Sequence, residues 1–408
     1  MTLCGLNLAV NHGKHREQGV WLPSVGLRIG MIILAALMAG CAVAQTTTAQ
    51  QYFVLDTTTN DVIDQRNANQ PMAPSSMTKI LTAYIVFNAI EDQTITLNQR
   101  FSVPDTAYER GGSRMWLRRG EAATVEDLIK GLIVVSGNDA AITLATGISG
   151  SEAQFADLMN ETAQALGMRN SHFVNASGWP DENHYSTAAD IAILCQRLIE
   201  DHPDYYAAWF GDVEFEYNDI AQVNRNHLLT AQISSLPGET ILADGIKTGR
   251  TNAGGFGIAA SAINSQGRRI ILIMNGLESE ADRRVESQQL LESAFSRYKN
   301  YPLFETGQTI GYAPIWLGQK EYIPLIATRS VLLTLSEQVY RQLTATLVFN
   351  APIEAPVYID QPVGELRIAG PGIDPIIMPV VAGEAVDRVG RFEQVINGLK
   401  FSLLRLSN

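Results

Sequence analysis

The chain has 408 residues, 46% apolar and 18% charged, and its 30 Lys and Arg against 42 Asp and Glu give a net charge of −12. Such a length and apolar fraction support a large core in two or three domains and exclude disorder as the main state. The acidic balance supplies no basic field for phosphate, so no nucleic-acid partner is expected. The six His and three Cys form no HExxH, CxxC or comparable cluster, so neither a metal nor a cofactor is expected.

Lys14, Arg16 and Arg28 precede an uncharged run from Ile29 to Ala44 that ends in Ala42-Val43-Ala44. Residues 1–44 read as a secretory signal cut after Ala44. The run is short for a transmembrane span of roughly 20 residues. Leu37-Met38-Ala39-Gly40-Cys41 offers a second reading, a lipoprotein box that would acylate Cys41. Cleavage removes three positive charges and one negative, so the exported chain carries −14 rather than −12. It retains only Cys195 and has no internal disulfide. Ile191, Leu194 and Leu198 surround Cys195 at helical spacing, which marks a buried structural thiol rather than a nucleophile.

Tyr52 to Asp56 and Asp61 to Gln65 flank a Thr/Asn-rich turn and predict a hairpin. After Pro71 and Pro74 an apolar helix is expected from about Ser76 to Ala89. Thr124 with Asp127 caps a second helix carrying Leu128, Leu132 and Val135 inward. Ser151 caps a third, with Gly167 as its stop, and Thr187 opens a fourth. Beyond Gly245 two β-rich runs, Phe256 to Ala262 and Arg269 to Asn275, meet at an Asn264–Gly267 turn and precede a helix from about Ala281 to Tyr298. This order predicts an α+β domain, an antiparallel sheet flanked by helices and assembled from both ends. Pro302 marks its boundary, giving a domain over 45–302. Short β runs such as Val331–Leu335 and Thr344–Phe349 predict a small β-sandwich-like domain over 303–386.

In the tail, 387–408, Val389, Phe392, Val395, Ile396, Leu399, Leu403 and Leu406 fall on one helical stripe. From Arg388 onward, Arg388, Arg391, Lys400 and Arg405 oppose only Glu393. A basic amphipathic helix of this kind packs on its own domain or lies on an anionic membrane surface.

Ser76-Met77-Thr78-Lys79 places a hydroxyl and an amine on one helical face, so that the amine can take the serine proton. Alone the pattern is weak, because an S-x-x-K arises by chance in a chain this long. Ser136-Gly137-Asn138 follows the apolar run Leu132 to Val135, and a polar break of this kind, if buried, is expensive unless it has partners or a function. Lys247-Thr248-Gly249, followed by Arg250-Thr251, predicts a strand edge on which an extended peptide can lie, with Gly249 permitting close approach.

With these three elements, in order, the chain resembles the serine D-alanyl-D-alanine carboxypeptidases among the low-molecular-mass penicillin-binding proteins. The likeness extends to Pro74–Lys79, Ser136–Ala140 and Asp244–Gly249, covers residues 50 to 300, and is joined by the following β domain and terminal helix. It implies a penicillin-sensitive enzyme that removes the terminal D-alanine of peptidoglycan stem pentapeptides, with β-lactam antibiotics as inhibitors. Ser76 would be the nucleophile and Lys79 its base, with an amine pKa lowered by burial and by a neighbouring cation, for which Lys247 is the candidate. Ser136 would relay a proton to the leaving D-alanine, and Asn138 would hold Lys79 and the substrate amide. The backbone N–H groups of Ser76 and Arg250 would form the oxyanion hole.

A substrate ending in a carboxylate needs cations concentrated locally on an acidic protein. Lys247, Thr248 and Arg250 are placed for this, and Arg225 and Arg283 match arginines of the family's cleft. His184, in the loop from Asn175 to Ser186, matches a loop beside the site and is not included among the catalytic residues. The family usually has His where this chain has Arg250; the backbone contact survives that change. A serine β-lactamase needs in addition a carboxylate and Asn to activate water, and no Glu-x-x-Leu-Asn stretch stands between Asn138 and Lys247. A cross-link endopeptidase shares the acylation chemistry. A non-catalytic wall-associated scaffold has no need of all five residues Ser76, Lys79, Ser136, Asn138 and Lys247. Signal, motifs and tail together imply a peripheral protein on the periplasmic face of the inner membrane.

Overall fold

The computed structural model describes residues 7–12, 47–234 and 239–390. The expected signal segment therefore lies outside the described residues except for a strand at Asn7–His12, and the tail lies outside them from residue 391 onward. The chain divides between Tyr298 and Lys299 into two compact units.

The larger unit is built on a five-stranded antiparallel sheet. Its strands are β1 (Gln51–Asp56), β2 (Asp61–Arg66), β3 (Ile241–Thr251), β4 (Gly255–Asn264) and β5 (Arg269–Leu277), in the order β2-β1-β5-β4-β3. Both faces are covered, and the period of two along each strand sorts the side chains between them. Ile271 and Ile273 of β5 with Leu55 of β1 join the core on the side of the main helical lobe. Ile270, Leu272 and Met274 join Leu290, Leu291 and Phe295 of the last helix on the other. This explains why β5 is apolar without alternation from Ile270 to Met274.

The lobe consists of α1 (Lys79–Glu91), α2 (Val125–Ile133), α3 (Asn138–Ser149), α4 (Glu152–Leu166) and α5 (Ala188–Asp201), and α6 (Glu280–Arg297) covers the opposite face. Local caps set the ends. Thr124 Oγ1 accepts from the Asp127 N–H, Ser151 Oγ from Gln154 and Thr187 Oγ1 from Asp190, each at 3.1 or 3.2 Å. Gly167, at φ +92°, ends α4 in the left-handed region. In α1 every residue from Lys79 to Phe87 is buried, because the helix runs through the centre of the lobe and has no solvent face.

The smaller unit carries β6 (Tyr298–Phe304), β7 (Thr309–Trp316), β8 (Tyr322–Ala327), β9 (Val331–Ser336), β10 (Thr344–Phe349), β11 (Pro362–Gly370) and β12 (Ile373–Ala382). A seven-stranded sheet runs Asn7–His12, β10, β11, β12, β8, β7, Ile353–Glu354, and a two-stranded one joins β6 to β9. Strand Asn7–His12 lies parallel to β10. Pro302, read from the sequence as a boundary, sits within β6. A two-stranded ribbon has edges on both sides, where a residue without an N–H is tolerated. Leu325, Ala345, Leu347, Leu366, Ile368 and Met378 form this unit's own core. Among the described residues no helix is long and apolar enough to cross a membrane.

Candidate active site

A 3-10 turn, Ser75–Thr78, leads into α1 and puts the Ser76 hydroxyl one turn ahead of Lys79. Gly249 of β3 runs against this turn: a β-carbon there would stand 3.1 Å from both the Pro74 carbonyl oxygen and Ser75 Cβ. Only a residue without a side chain lets strand and turn approach this closely. β3 is the last strand of its sheet, paired with β4 on one side through Lys247 opposite Ala259 and Arg250 opposite Phe256.

Lys79 is 1% exposed. Its Nζ lies 3.0 Å from Ser76 Oγ, 2.8 Å from Asn138 Oδ1 and 2.6 Å from the Ser177 carbonyl oxygen. Burial brings its pKa down from the usual 10.5 to about 7; the carboxylates of Asp139 and Glu152 oppose the shift, and the Arg225 guanidinium adds to it. Lys247, buried likewise, is also held well below the ordinary lysine value, first by burial and then by Lys79, Arg225 and Arg283. Burial is thus the first cause at both amines; Lys79 and Lys247 repel each other when both are charged, and Arg225 is a further cation acting on both.

Ser136 ends the apolar run of α2 with φ +61°, a region a non-glycine residue occupies only at a cost. Its buried Oγ has no hydrogen-bond partner among the described residues. The polar break therefore interrupts the helix, and α3 starts afresh at Asn138. Asn138 divides its amide between Lys79 and the loop over the site: Oδ1 accepts from Lys79 and Nδ2 donates to the Gly111 carbonyl at 2.8 Å.

Two arginines stand opposite. Arg225 donates to Ser113 Oγ; the next residue, Asn226, is buried, donates to the Gly245 carbonyl at 2.9 Å and accepts from Leu228 N–H, fixing the segment that carries Arg225. Arg283 on α6 is 3% exposed, donates to Glu280 at 3.0 Å, and has a buried Nε without a partner among the described residues. Arg250 stacks on Phe256 at 4.9 Å and Arg283 approaches the same ring at 6.0 Å. Ser76, Ser113, Ser136, Arg225, Thr248, Gly249, Arg250, Phe256, Glu280 and Arg283 line one cavity of about 550 Å3. Residues separated by up to 207 positions are thus gathered into one site, with Lys79, Asn138 and Lys247 buried.

Two features escape sequence reading. Asn175 Oδ1 accepts from the N–H groups of Gly178 and Trp179 at 2.8 and 2.9 Å, shaping the turn that offers Ser177 O to Lys79. Its only signal is the turn-forming Asn-Ala-Ser-Gly string. Ser113 lies in a loop with no motif at all. His184 accepts at Nδ1 from the Val174 N–H, so its Nε2 carries the hydrogen donated to Thr78 Oγ1 at 2.8 Å. Burial lowers its pKa to about 4, and it serves as a neutral strut behind the turn. Cys195 is fully buried, and burial pushes its thiol pKa up. Among the described residues no group of His, Cys, Asp and Glu could hold a metal.

Residues 39–278 match the family model described as D-alanyl-D-alanine carboxypeptidase, and residues 298–388 match that of the penicillin-binding protein 5 C-terminal domain. The chain is 32% identical to the D-alanyl-D-alanine carboxypeptidase DacD of Salmonella typhimurium over 85% of its own length and 88% of the relative's. Penicillin-binding protein 5 from Haemophilus influenzae superposes with a TM-score of 0.66 at 30% identity, covering 84% of this chain and 98% of that one. For DacD from Francisella tularensis the TM-score is 0.71 at 28% identity, with 89% and 98% covered. The chain belongs to the D-alanyl-D-alanine carboxypeptidase family, and its mixed α/β domain followed by a small β domain is the fold of that family. It is a serine-type D-alanyl-D-alanine carboxypeptidase of peptidoglycan maturation.

Proposed function

We propose that Ser76 is the nucleophile and that neutral Lys79 is its base. The observation that carries this is the set of three contacts at Lys79 Nζ. A neutral amine has two hydrogens and one lone pair. Asn138 Oδ1 and Ser177 O can only accept, so they take the two hydrogens, and the lone pair is left facing Ser76 Oγ at 3.0 Å. Burial keeps a large share of the amine in that neutral form near pH 7. Ser76 Oγ then bonds to the carbonyl carbon of the penultimate D-alanine while its proton passes to Lys79. The N–H groups of Ser76 and Arg250 face the oxyanion. As the C–N bond breaks, Ser136, whose hydroxyl has no partner among the described residues, gives its proton to the leaving D-alanine nitrogen and takes the one held by Lys79. Water attacks the acyl-enzyme by the reverse sequence, releasing the shortened peptide. Lys247, Thr248, Arg225 and Arg283 receive the terminal carboxylate, and Gly249 leaves room for the peptide beside β3.

The penicillin-binding protein D2 of Listeria monocytogenes, solved in an ampicillin-bound form, superposes with a TM-score of 0.54 at 25% identity over 61% of this chain. By analogy β-lactams acylate the same serine here. Mass spectrometry after incubation with benzylpenicillin tests the assignment. A stable adduct on the Ser76 peptide is expected, and Ser76→Ala should lose both adduct and D-alanine release while remaining folded. Retained turnover in that variant overturns it.

The proposal extends to location: residues 1–44 direct export, and the basic apolar stripe of residues 388–408 holds the enzyme to the periplasmic face of the inner membrane. Deleting 388–408 from the chain expressed with its own residues 1–44 should move activity to the soluble fraction. A shortened form that stays on the membrane contradicts the tail anchor, and Cys41→Ala then tells a lipid anchor from a tail packed on its own domain.

A further inference from the structure

The loop from Arg110 to Leu117 roofs the cavity and touches both halves of the site: Gly111 O accepts from Asn138, Ser113 O accepts from the Asn138 N–H at 2.8 Å, and Ser113 Oγ accepts from Arg225. The loop has no regular structure from Arg110 to Leu117, and Trp116 stands at φ +69°. Something outside it must set its path.

That anchor is a single carboxylate. Asp139, 1% exposed at the start of α3, accepts from the backbone N–H of Met115 at 3.0 Å, Trp116 at 3.0 Å and Leu117 at 3.1 Å, and from Ala140 at 3.0 Å. Three successive N–H groups converging on one carboxylate form a tight, charge-assisted clamp. An uncharged amide cannot reproduce it, because its NH2 would face a donor instead of accepting from it. At the other end Arg110 pairs with Glu152 at 3.1 Å and lies over the Trp179 ring, so the loop is held on both flanks with Ser113 between them.

We propose that Asp139 is a positioning residue for carboxylate recognition: by clamping residues 115–117 it fixes Ser113, and Ser113 aims Arg225 into the cavity. The inference rests on the assignment of Arg225 to the substrate carboxylate made above. Asp139 touches no substrate; it acts through the loop. The arrangement joins catalysis to recognition, since the residue beside Asn138 sets the geometry of an arginine 86 positions later in the chain.

The test compares kcat/KM for a peptide ending in D-alanyl-D-alanine with that for the same peptide ending in D-alaninamide, using the full chain. The wild-type ratio favours the free carboxylate. Arg225→Ala should collapse it, and Asp139→Asn and Ser113→Ala should each lower it about tenfold, chiefly through KM for the carboxylate peptide; Ser113→Thr, which retains the hydroxyl, should restore it. A merely structural role would reduce both substrates together and leave the ratio unmoved. If Arg225→Ala collapses the ratio and the loop variants do not, the inference falls while the carboxylate assignment stands. If Arg225→Ala leaves the ratio intact, the assignment falls and the inference with it. Where Asp139→Asn does not accumulate as folded protein, Ser113→Ala alone decides.

Discussion

A β-carbon built on Gly178 would stand 1.8 Å from the carbonyl oxygen of Ser75, and Gly178 has φ +77°. The turn beneath the nucleophile is therefore packed backbone to backbone against the loop that offers Ser177 O to Lys79. Gly178→Ala should cost about 3 kcal/mol by combining left-handed strain with overpacking. It should also slow acylation by at least tenfold, because the Ser75–Thr78 turn must shift. Denaturant melts and penicillin-labelling rates check both; a stable variant with unchanged labelling contradicts the packing argument.

The pH dependence of acylation follows from Lys79. Its pKa is lowered to about 7, so the rate should rise as pH passes upward through 7 and the amine loses its proton. Arg225 contributes to the lowering, and Arg225→Ala should move this limb to higher pH. Stability carries the same sign: between about 7 and 10.5 the unfolded chain binds the proton that folded Lys79 has lost, so this residue's contribution increases as pH rises across that window. Second-order rate constants for benzylpenicillin measured from pH 5 to 9 supply the check. A flat profile for the wild type excludes Lys79 as the base.

Ser136 pays a conformational cost at φ +61° that glycine would not. Ser136→Gly should gain about 1 kcal/mol of stability, the relief of strain exceeding the added freedom of the unfolded chain. Its turnover should drop steeply for want of the hydroxyl. Ser136→Ala should lose the same activity without the gain. Thermal melts of the pair separate the two effects, and equal melting points would remove the strain argument.

Thr124 caps α2 away from the cavity, its Oγ1 accepting from Asp127 N–H at 3.1 Å. Thr124→Ala should cost about 1 kcal/mol and leave kcat/KM unchanged. A shift in kinetics would mean that α2 transmits to the site in a way its cap does not suggest.

Caps of this kind were legible because Thr124, Ser151 and Thr187 act within three residues. The three motifs were legible for a related reason: each is a short string whose chemistry is local, such as the turn of helix between Ser76 and Lys79. Other features resisted because their partners are remote. Nothing near Ser113 announces an arginine 112 positions away, and Asp139 looks like an ordinary first-turn acid until Met115 to Leu117 are seen to fold back on it. Sequence can name Lys247 as a cation near Lys79 but carries no measure of burial, which is the first cause at both amines. Pro302 lies within four residues of the division between the two units but inside a strand, because a proline is also at home at a strand edge.

The sheet itself imposes an order in time. Asp56 and its ion-pair partner Arg268 are 212 positions apart, so among the described residues β1 has no strand partner in the larger unit other than β2 until β5 has emerged. The helices between Lys79 and Asp201 can gather earlier around contacts made within their own stretch of chain. Closure of the long loop makes sheet assembly the slow step, and only then does β3 come to lie against Ser76. A nascent or truncated chain lacking β5 would carry the serine and lysine without the surface that receives a peptide. The hydrolytic machinery is consequently withheld until the larger unit is complete, and reactivity toward penicillin during refolding should appear with the last amides to gain exchange protection, those of β1 and β5.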